Sequence, residues 1–346
     1  MKNMIDFRDF TYKELENYII KINEPKFRAK QIFQWIHKGV NSFDDIININ
    51  KGLKEKLKNE GYICNMVIEE KYTSNIDGTT KYIMRLKDEN FIECVLMKYT
   101  FGNTICISTQ VGCSMGCSFC ASTIGGKIRN LTAGEMFGQV LTLQNDIKEK
   151  ISNVVLMGTG EPFDNYENVI KFLNIINDPN GINIGMRHIT ISTCGLVPQI
   201  KMLADLNLQI TLAISLHAPN DEIRKKIMPI ANRYSMEELL DACKYYIKRT
   251  NRRITFEYAL INEINDSEEN ALELSKKLKG MLCHVNLIPL NKVDEREFIK
   301  PDMDKVNIFK NILLKNGIET TVRREMGSDI NAACGQLRRR FIQKNK

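Results

Sequence analysis

The sequence predicts an α/β protein in three parts: a small N-terminal helical domain, a β extension, and a full or partial (β/α) barrel of TIM-like type. Three observations carry this prediction. From about residue 103, apolar strand-like runs alternate with amphipathic segments of helix length, the signature of parallel strands joined by crossover helices. Residues 63–102 show strand periodicity around a turn signal, and residues 1–62 repeat apolar positions at helical spacing.

In chain order, Phe27, Ile32, Phe33, Trp35 and Ile36 stand among polar residues between 11 and 60, with Gly39 and Gly52 as punctuation, so 1–62 reads as a helical domain. VIEEKYTSN, a turn at Asp77-Gly78, TTKYIMRL and ENFIECVLMKY then form the β extension or linker, 63–102. The barrel, 103–346, begins with the strand TICIST. NVVLMG, RHITIST, QITLAISL, RITFEYAL, HVNLIPL and ETTVRR follow as strands, and LTAGEMFGQVLTLQ, NYENVIKFLNII, SMEELLDACKYYIKR and SEENALELSKKLK lie between them as helices. It ends in a basic tail.

Composition narrows the class. Hydrophobic residues at 43% and charged residues at 26% describe an ordinary globular chain, and no apolar run reaches the roughly 18 residues a membrane span needs. The first residues lack a basic stretch, an apolar stretch and a cleavage site in succession. The expectation is a cytoplasmic protein with no membrane partner, monomeric by default. Ten cysteines spread over 346 residues, three of them tightly clustered, suit metal binding in a reducing compartment better than a disulfide scaffold. The net charge of +7 gathers at the two ends. Lys21, Lys26, Arg28, Lys30 and Lys38 interleave with Phe27, Phe33, Trp35 and His37, and Arg338, Arg339, Arg340, Lys344 and Lys346 close the chain. Such clusters neutralise phosphates and stack on unpaired bases, as in RNA-binding proteins; a solvated helix face explains them equally well.

The chemistry is concentrated in GCSMGCSFCAS. Cys113, Cys117 and Cys120 form C-x3-C-x2-C, three soft ligands with no fourth nearby, which suits a [4Fe–4S] cluster with one iron left open. Structural zinc is the alternative, but its usual signature has a second Cys or His pair that this chain lacks. In a barrel of this kind, site residues collect where strands end. The cluster loop follows TICIST; NVVLM ends in Gly158-Thr159-Gly160-Glu161-Pro162; HITIST ends at Ser192 to Gly195; TLAIS runs into Ser215-Leu216-His217; and HVNLIPL ends beside Asn291. Together these outline one pocket, with Glu161 suited to accept from an amine, although turn and capping roles account for each residue singly. Cys334, in AACG after the last strand, reads equally as a packed or a reactive thiol.

The triplet with Phe119 before its last cysteine is similar to the signature of radical S-adenosylmethionine enzymes. CISTQVGCSMGCSFCASTIGGKIRNLT, MGTGEP, HITISTCGLVP, LAISLHAPNDEIR, HVNLIPLN and GSDINAACGQLR together resemble the RlmN family of dual-specificity RNA adenine-C2 methyltransferases, over about residues 90–340. The N-terminal segment resembles that family's RNA-contacting domain. The resemblance implies a partial (β/α)6 radical S-adenosylmethionine barrel, with the cluster on Cys113, Cys117 and Cys120. It implies S-adenosylmethionine contacts at Gly160, Glu161, Ser192, Ser215, Leu216, His217 and Asn291. Two cofactor molecules are implied per methylation, one methylating Cys334 in a polar step and the other generating the radical that activates that methyl group for addition to carbon 2. Cys106 then forms a transient disulfide with Cys334 to free the product, and Glu93 accepts the proton; read without the family, Glu93 is an outward-facing strand residue. The implied substrates are the peptidyl-transferase loop of protein-free 23S ribosomal RNA and the adenosine beside the anticodon of some transfer RNAs. The implied reductant is a flavodoxin or ferredoxin. Cys94 and Cys194 read as packing residues.

Two alternatives accompany this reading. A related resistance methyltransferase of the Cfr type acts at carbon 8 of the same adenine, though MGTGEP and REMGSDINAACGQLRR stand closer to the carbon-2 family. A non-catalytic iron–sulfur or zinc RNA-binding protein would explain the basic ends and the triplet, but not the polar strand ends.

Overall fold

The computed structural model describes residues 4–290, 296–330 and 341. Helices α1 (Tyr12–Lys21), α2 (Phe27–His37) and α3 (Lys51–Glu60) form the N-terminal unit, tied at its base by the parallel pair β1 (Ile5–Asp6) and β2 (Gly61–Tyr62). Its own core includes Phe7, Leu15, Ile19, Ile32, Phe33 and Leu57. Thr11 and Glu14 close a capping box on α1, and Asn50 caps α3, so these short helices have their first amides satisfied.

The rest is built on one ten-stranded sheet. Strands β3 (Val67–Thr73), β4 (Thr80–Arg85) and β5 (Phe91–Tyr99) are antiparallel and join β6 (Gly102–Cys106). After β6 comes a separate small hairpin, β7 (Gln110–Gly112) and β8 (Lys127–Asn130), and then α4 (Ala133–Ile147). The parallel set continues with β9 (Ile151–Leu156), β10 (Ile189–Thr193), β11 (Thr211–Ser215), β12 (Ile254–Leu260), β13 (Cys283–Pro289) and β14 (Thr320–Val322). Their crossovers are α5 (Tyr166–Ile176), α6 (Val197–Asp205), α7 (Asp221–Ile227) with α8 (Met236–Thr250), α9 (Glu268–Leu278) and α10 (Met303–Lys315). Six strand–helix units thus run from β6 to α10, as a (β/α)6 barrel requires, and β14 adds a short parallel strand at the end. Capping boxes at Thr132, Ser235 and Ser267 start α4, α8 and α9.

The β extension is a continuation of the barrel wall rather than a linker beside it. Alternate residues of β4 and β5 face opposite ways. Tyr82, Met84, Ile92, Cys94 and Leu96 join the main core with α4 residues such as Met136, Phe137 and Val140. Val95 and Met97 face inward with Cys106, against Val155 and Met157. Among the described residues the sheet does not close by strand pairing, yet its two edges meet: the Asn75 amide donates to Asp329 (2.9 Å) and the Gly327 amide to Asp77 (2.9 Å). Against the upward push of burial, the Gly327 and Thr79 amides hold the Asp77 carboxyl down to about 2.

The helical unit docks on α4. Asp9 accepts from the Gly134 amide (2.8 Å) at the start of α4, and a Cβ at Gly134 would lie 2.8 Å from the Asp9 nitrogen. His37 stacks between Phe33 and Phe137, with ring centroids 4.1 and 4.4 Å away, and its Nδ1 accepts from the Ile182 amide (3.1 Å). The aromatic and basic cluster of α2 is therefore split: Phe33 and His37 are buried, whereas exposed Phe27 lies under Arg28 and Trp35 under Lys38 (4.4 Å).

Candidate active site at the strand ends

The cysteine triplet sits in the β7–β8 hairpin, not directly on the end of β6 as the sequence suggests. The Thr109 and Gln110 amides both donate to the Thr159 carbonyl (2.9 and 3.1 Å), which draws the chain off the ladder after Cys106. The loop is then held from within and from outside. The Thr123 hydroxyl donates to the Cys117 and Cys120 carbonyls (3.2 and 2.9 Å), and the Ser118 amide donates to the Ile227 carbonyl at the end of α7 (2.9 Å).

Cys113, Cys117 and Cys120 line one cavity of about 280 Å³ together with Gly160, Glu161, Ser192, Ser215 and His217. The fold therefore brings four strand ends to one place, although the residues lie up to about a hundred positions apart in the chain, because parallel strands present all their C-terminal ends on one side. Leu216 does not line the cavity: its side chain is buried in the main core, and its amide donates to the Glu257 carbonyl (3.0 Å). Asn291 and Cys334 lie outside the described residues. Cys194, read as packing, lines the cavity as well, whereas Cys94 is a packing residue whose thiol donates to the Gln139 side chain (2.9 Å).

Local chemistry explains several of these placements. Gly160 has φ +114°, and a Cβ there would meet the Gln110 side chain at 2.7 Å, so close packing against β7 demands glycine. The Glu161 carboxylate is buried and accepts from the Phe163 amide (2.9 Å) and the Cys194 amide (2.8 Å). Burial nevertheless pushes its pKa up, against those hydrogen bonds. Part of its accepting capacity thus fixes the loop after β10. Ser192 and Ser215 hydroxyls lie 3.4 Å apart on neighbouring strands. His217 adopts φ +55° and meets Phe119 edge-on (5.1 Å). Its Nδ1 accepts from the Ala259 amide (2.9 Å), and burial, with Arg224 nearby, lowers its pKa to about 3; the ring is neutral and carries its proton on Nε2.

The donor set fits a cluster with an open iron. Its three soft thiols line one cavity, and a cluster takes each thiolate on a different iron. Burial pushes the Cys113 thiol up to about 12 and raises Cys117 too, so a metal bound there would have to displace their protons.

Cys106 lines an adjoining space, and Glu93 is buried on the same face of the sheet. Cys106 is paired with Val95 across β5 and β6, which places Glu93, two residues from Val95, on the same inward face. Glu93 is buried and lies 3.4 Å from the Lys81 ammonium, itself fully buried, so the outward-facing reading of Glu93 is wrong. Cys106, Val95 and Met97 line a cavity of about 310 Å³ with Ile288, Lys300, Arg323 and Arg324. Ile288 and Arg323 also line the cysteine cavity, so the two spaces share a wall.

Sequence reasoning missed two buried charged residues. Glu257 on β12 lines the cysteine cavity, accepts from the Asn286 side chain (2.9 Å), and has its pKa raised by burial. The signal was available: a carboxylate inside the apolar run ITFEYAL is out of place in a strand buried on both faces. Arg224, in DEIRKKI, looks like one more exposed helix charge but is fully buried.

Comparisons with known proteins agree with this geometry. Residues 107–275 match the radical SAM superfamily, and residues 5–63 match the ribosomal RNA large subunit methyltransferase N-terminal domain. The chain is 61% identical over 346 residues, all of both chains, to a probable dual-specificity RNA methyltransferase RlmN of Clostridium novyi (strain NT). It is 61% identical to the protein of the same name from Alkaliphilus oremlandii (strain OhILAs), covering 98% of this chain and 99% of that one. Among solved structures, a radical SAM methyltransferase from Sphaerobacter thermophilus superimposes with a TM-score of 0.92 at 43% identity, covering 96% of this chain and 98% of the other.

Proposed function

Because the chain belongs to the RlmN family of radical S-adenosylmethionine RNA methyltransferases, we propose that it methylates carbon 2 of adenosine in two RNAs. These are the peptidyl-transferase loop of 23S ribosomal RNA, before its proteins cover it, and the anticodon-adjacent position of some transfer RNAs. The observation that carries this reading is the pair of cavities sharing the Ile288 and Arg323 wall, one lined by the cysteine triplet and the other by Cys106.

Cys113, Cys117 and Cys120 hold the [4Fe–4S] cluster. Gly160, Glu161, Ser192, Ser215, His217 and Asn291 hold S-adenosylmethionine. When bound there, a reduced cluster would supply the electron for cleavage of S-adenosylmethionine and so allow a methyl group to be activated. The chain's residues do the rest. Cys334 would carry the methyl group, received from a first cofactor molecule and activated at the expense of a second. The target adenine, extruded from a loop, occupies the cavity beside Cys106, where apolar Val95 and Met97 offer a face for the base and Arg323 and Arg324 offer charge for its phosphates. Glu93 takes the proton from carbon 2. Once the adduct has returned its odd electron to the cofactor that generated the radical, the Cys106 thiolate would attack the sulfur of Cys334; the carbon–sulfur bond breaks with its electron pair left on the transferred carbon, which takes up a proton to complete the methyl group, and an external two-electron reductant later reopens the Cys106–Cys334 disulfide. A flavodoxin or ferredoxin supplies electrons to the cluster, and the enzyme works as a cytoplasmic monomer. No described helix is long and apolar enough to cross a membrane.

The experiment that tests the methyl carrier is Cys334→Ala. The variant is expected to lose methyl transfer to RNA while keeping its iron and its RNA affinity. Full activity in that variant would contradict the assignment.

A further inference from the structure

Arg224 is among the largest fully buried side chains, yet no ion pair among the described residues neutralises it. Its Nε donates to the Leu216 carbonyl (3.2 Å) and its Nη2 to the Cys194 carbonyl (2.7 Å), while Nη1 has no partner. A guanidinium keeps its proton in proteins, and a buried charge is expensive unless an anion accompanies it. Its neighbours indicate which anion. The two carbonyls belong to the loops after β10 and β11 that line the cysteine cavity. The end of its own helix, at Ile227, accepts from both the amide and the hydroxyl of Ser118 (2.9 and 3.3 Å), between Cys117 and Cys120. Pro229, just beyond, approaches Gly116 so closely that a Cβ there would lie 3.4 Å away. Arg224 therefore stands behind the cysteine loop on the Cys117 side. Electrostatics agrees in both directions: burial lowers the Arg224 pKa while Cys194 and Cys117 raise it, and Arg224 in turn opposes the burial-driven rise at Cys117. Asp221, on the same helix, also acts on Arg224 electrostatically but forms no ion pair with it; its carboxylate accepts from the Met236 amide (2.8 Å).

We propose that Arg224 is the fixed counter-charge of the iron–sulfur cluster. Three thiolates give a [4Fe–4S] cluster a net negative charge in its oxidised form, and one-electron reduction adds another. A buried cation held by two carbonyls stabilises the reduced form more than the oxidised one and raises the reduction potential. The same two hydrogen bonds join the cofactor loops, so Arg224 is a positioning residue acting through the cluster. This inference rests on the cluster assignment above.

The test compares Arg224→Gln and Arg224→Lys with the unmodified full chain, reconstituted anaerobically. Iron and sulfide per chain, melting temperature, and the cluster potential by EPR-monitored titration are measured without S-adenosylmethionine. The Gln variant is expected to lose at least tenfold in the reduction equilibrium, about 59 mV for one electron, while the Lys variant retains most of the original potential. A Gln variant that folds but takes up no iron, beside a Lys variant that does, would support the proposal equally. A loaded Gln variant titrating at the unmodified potential would overturn it, as would equal loss of the cluster from both folded variants, because loop geometry alone would then explain Arg224. Absence of iron from the unmodified protein would instead refute the cluster assignment.

Discussion

The Glu93 carboxylate and the Lys81 ammonium meet at 3.4 Å within the barrel wall, where neither reaches solvent. Such a pair costs desolvation energy, so its worth lies in fixing a carboxylate at one inward position beside Cys106. Glu93→Gln keeps the volume, and the bond from the Ser108 hydroxyl (2.8 Å) goes to the backbone carbonyl and survives. The variant is therefore expected to fold and bind RNA but to turn over at least about 100-fold more slowly, measured as methylated adenosine formed per minute. An unchanged rate would remove Glu93 from the proton transfer. The cysteine triplet was legible at this scale because its ligands are neighbours in sequence. The relation of Glu93 to Cys106 was not, because it depends on the register of β5 against β6, and a one-residue slip would turn either side chain to the other face.

At the scale of elements, the seam between the helical unit and α4 depends on two tight contacts. Gly134→Ala would drive a Cβ to 2.8 Å from the Asp9 backbone, and a cost of about 1–3 kcal/mol is expected despite the better helix propensity of alanine. Its measure is a lower melting temperature. His37 makes the same seam sensitive to acid. Burial, with Arg8 nearby, lowers its pKa from 6.5 to about 3, so the unfolded chain binds a proton between those values that the folded chain refuses. The stabilising contribution is complete above pH 6.5 and is lost as pH falls toward 3, by about 1.4 kcal/mol per unit once the unfolded imidazole is protonated. His37→Asn can still accept from Ile182, and its melting temperature should fall less between pH 7 and pH 5 than that of the unmodified protein; equal falls would place the acid sensitivity elsewhere. The alternation of strands and helices was readable because parallel strands are apolar on both faces and end abruptly. Helix α7 was not readable, since DEIRKKI has the composition of a solvated turn and only the loops around it bury Arg224. The β7–β8 hairpin escaped as well, because bonds from Thr109 and Gln110 to the distant Thr159 carbonyl create it.

Across the whole molecule, one sheet carries the cysteine cavity at its strand ends and runs on through β5 to wall a second cavity around Cys106. The helical unit presents exposed Phe27 under Arg28, and Trp35 under Lys38, so base stacking and phosphate neutralisation are available on one helix. RNA affinity should accordingly fall with rising salt, and replacing Lys30 and Lys38 by Gln should flatten the slope of log affinity against log salt, by roughly 0.7 for each single-strand phosphate left without its cation. The central claim is methylation at carbon 2, and mass spectrometry of nucleosides tests it most directly. Ribosomal and transfer RNA lacking the modification would be treated with the anaerobically reconstituted protein, a reductant and S-adenosylmethionine, then digested. The account predicts 2-methyladenosine in both RNAs; 8-methyladenosine alone, or no methylated adenosine from a protein with its cluster intact, would contradict it.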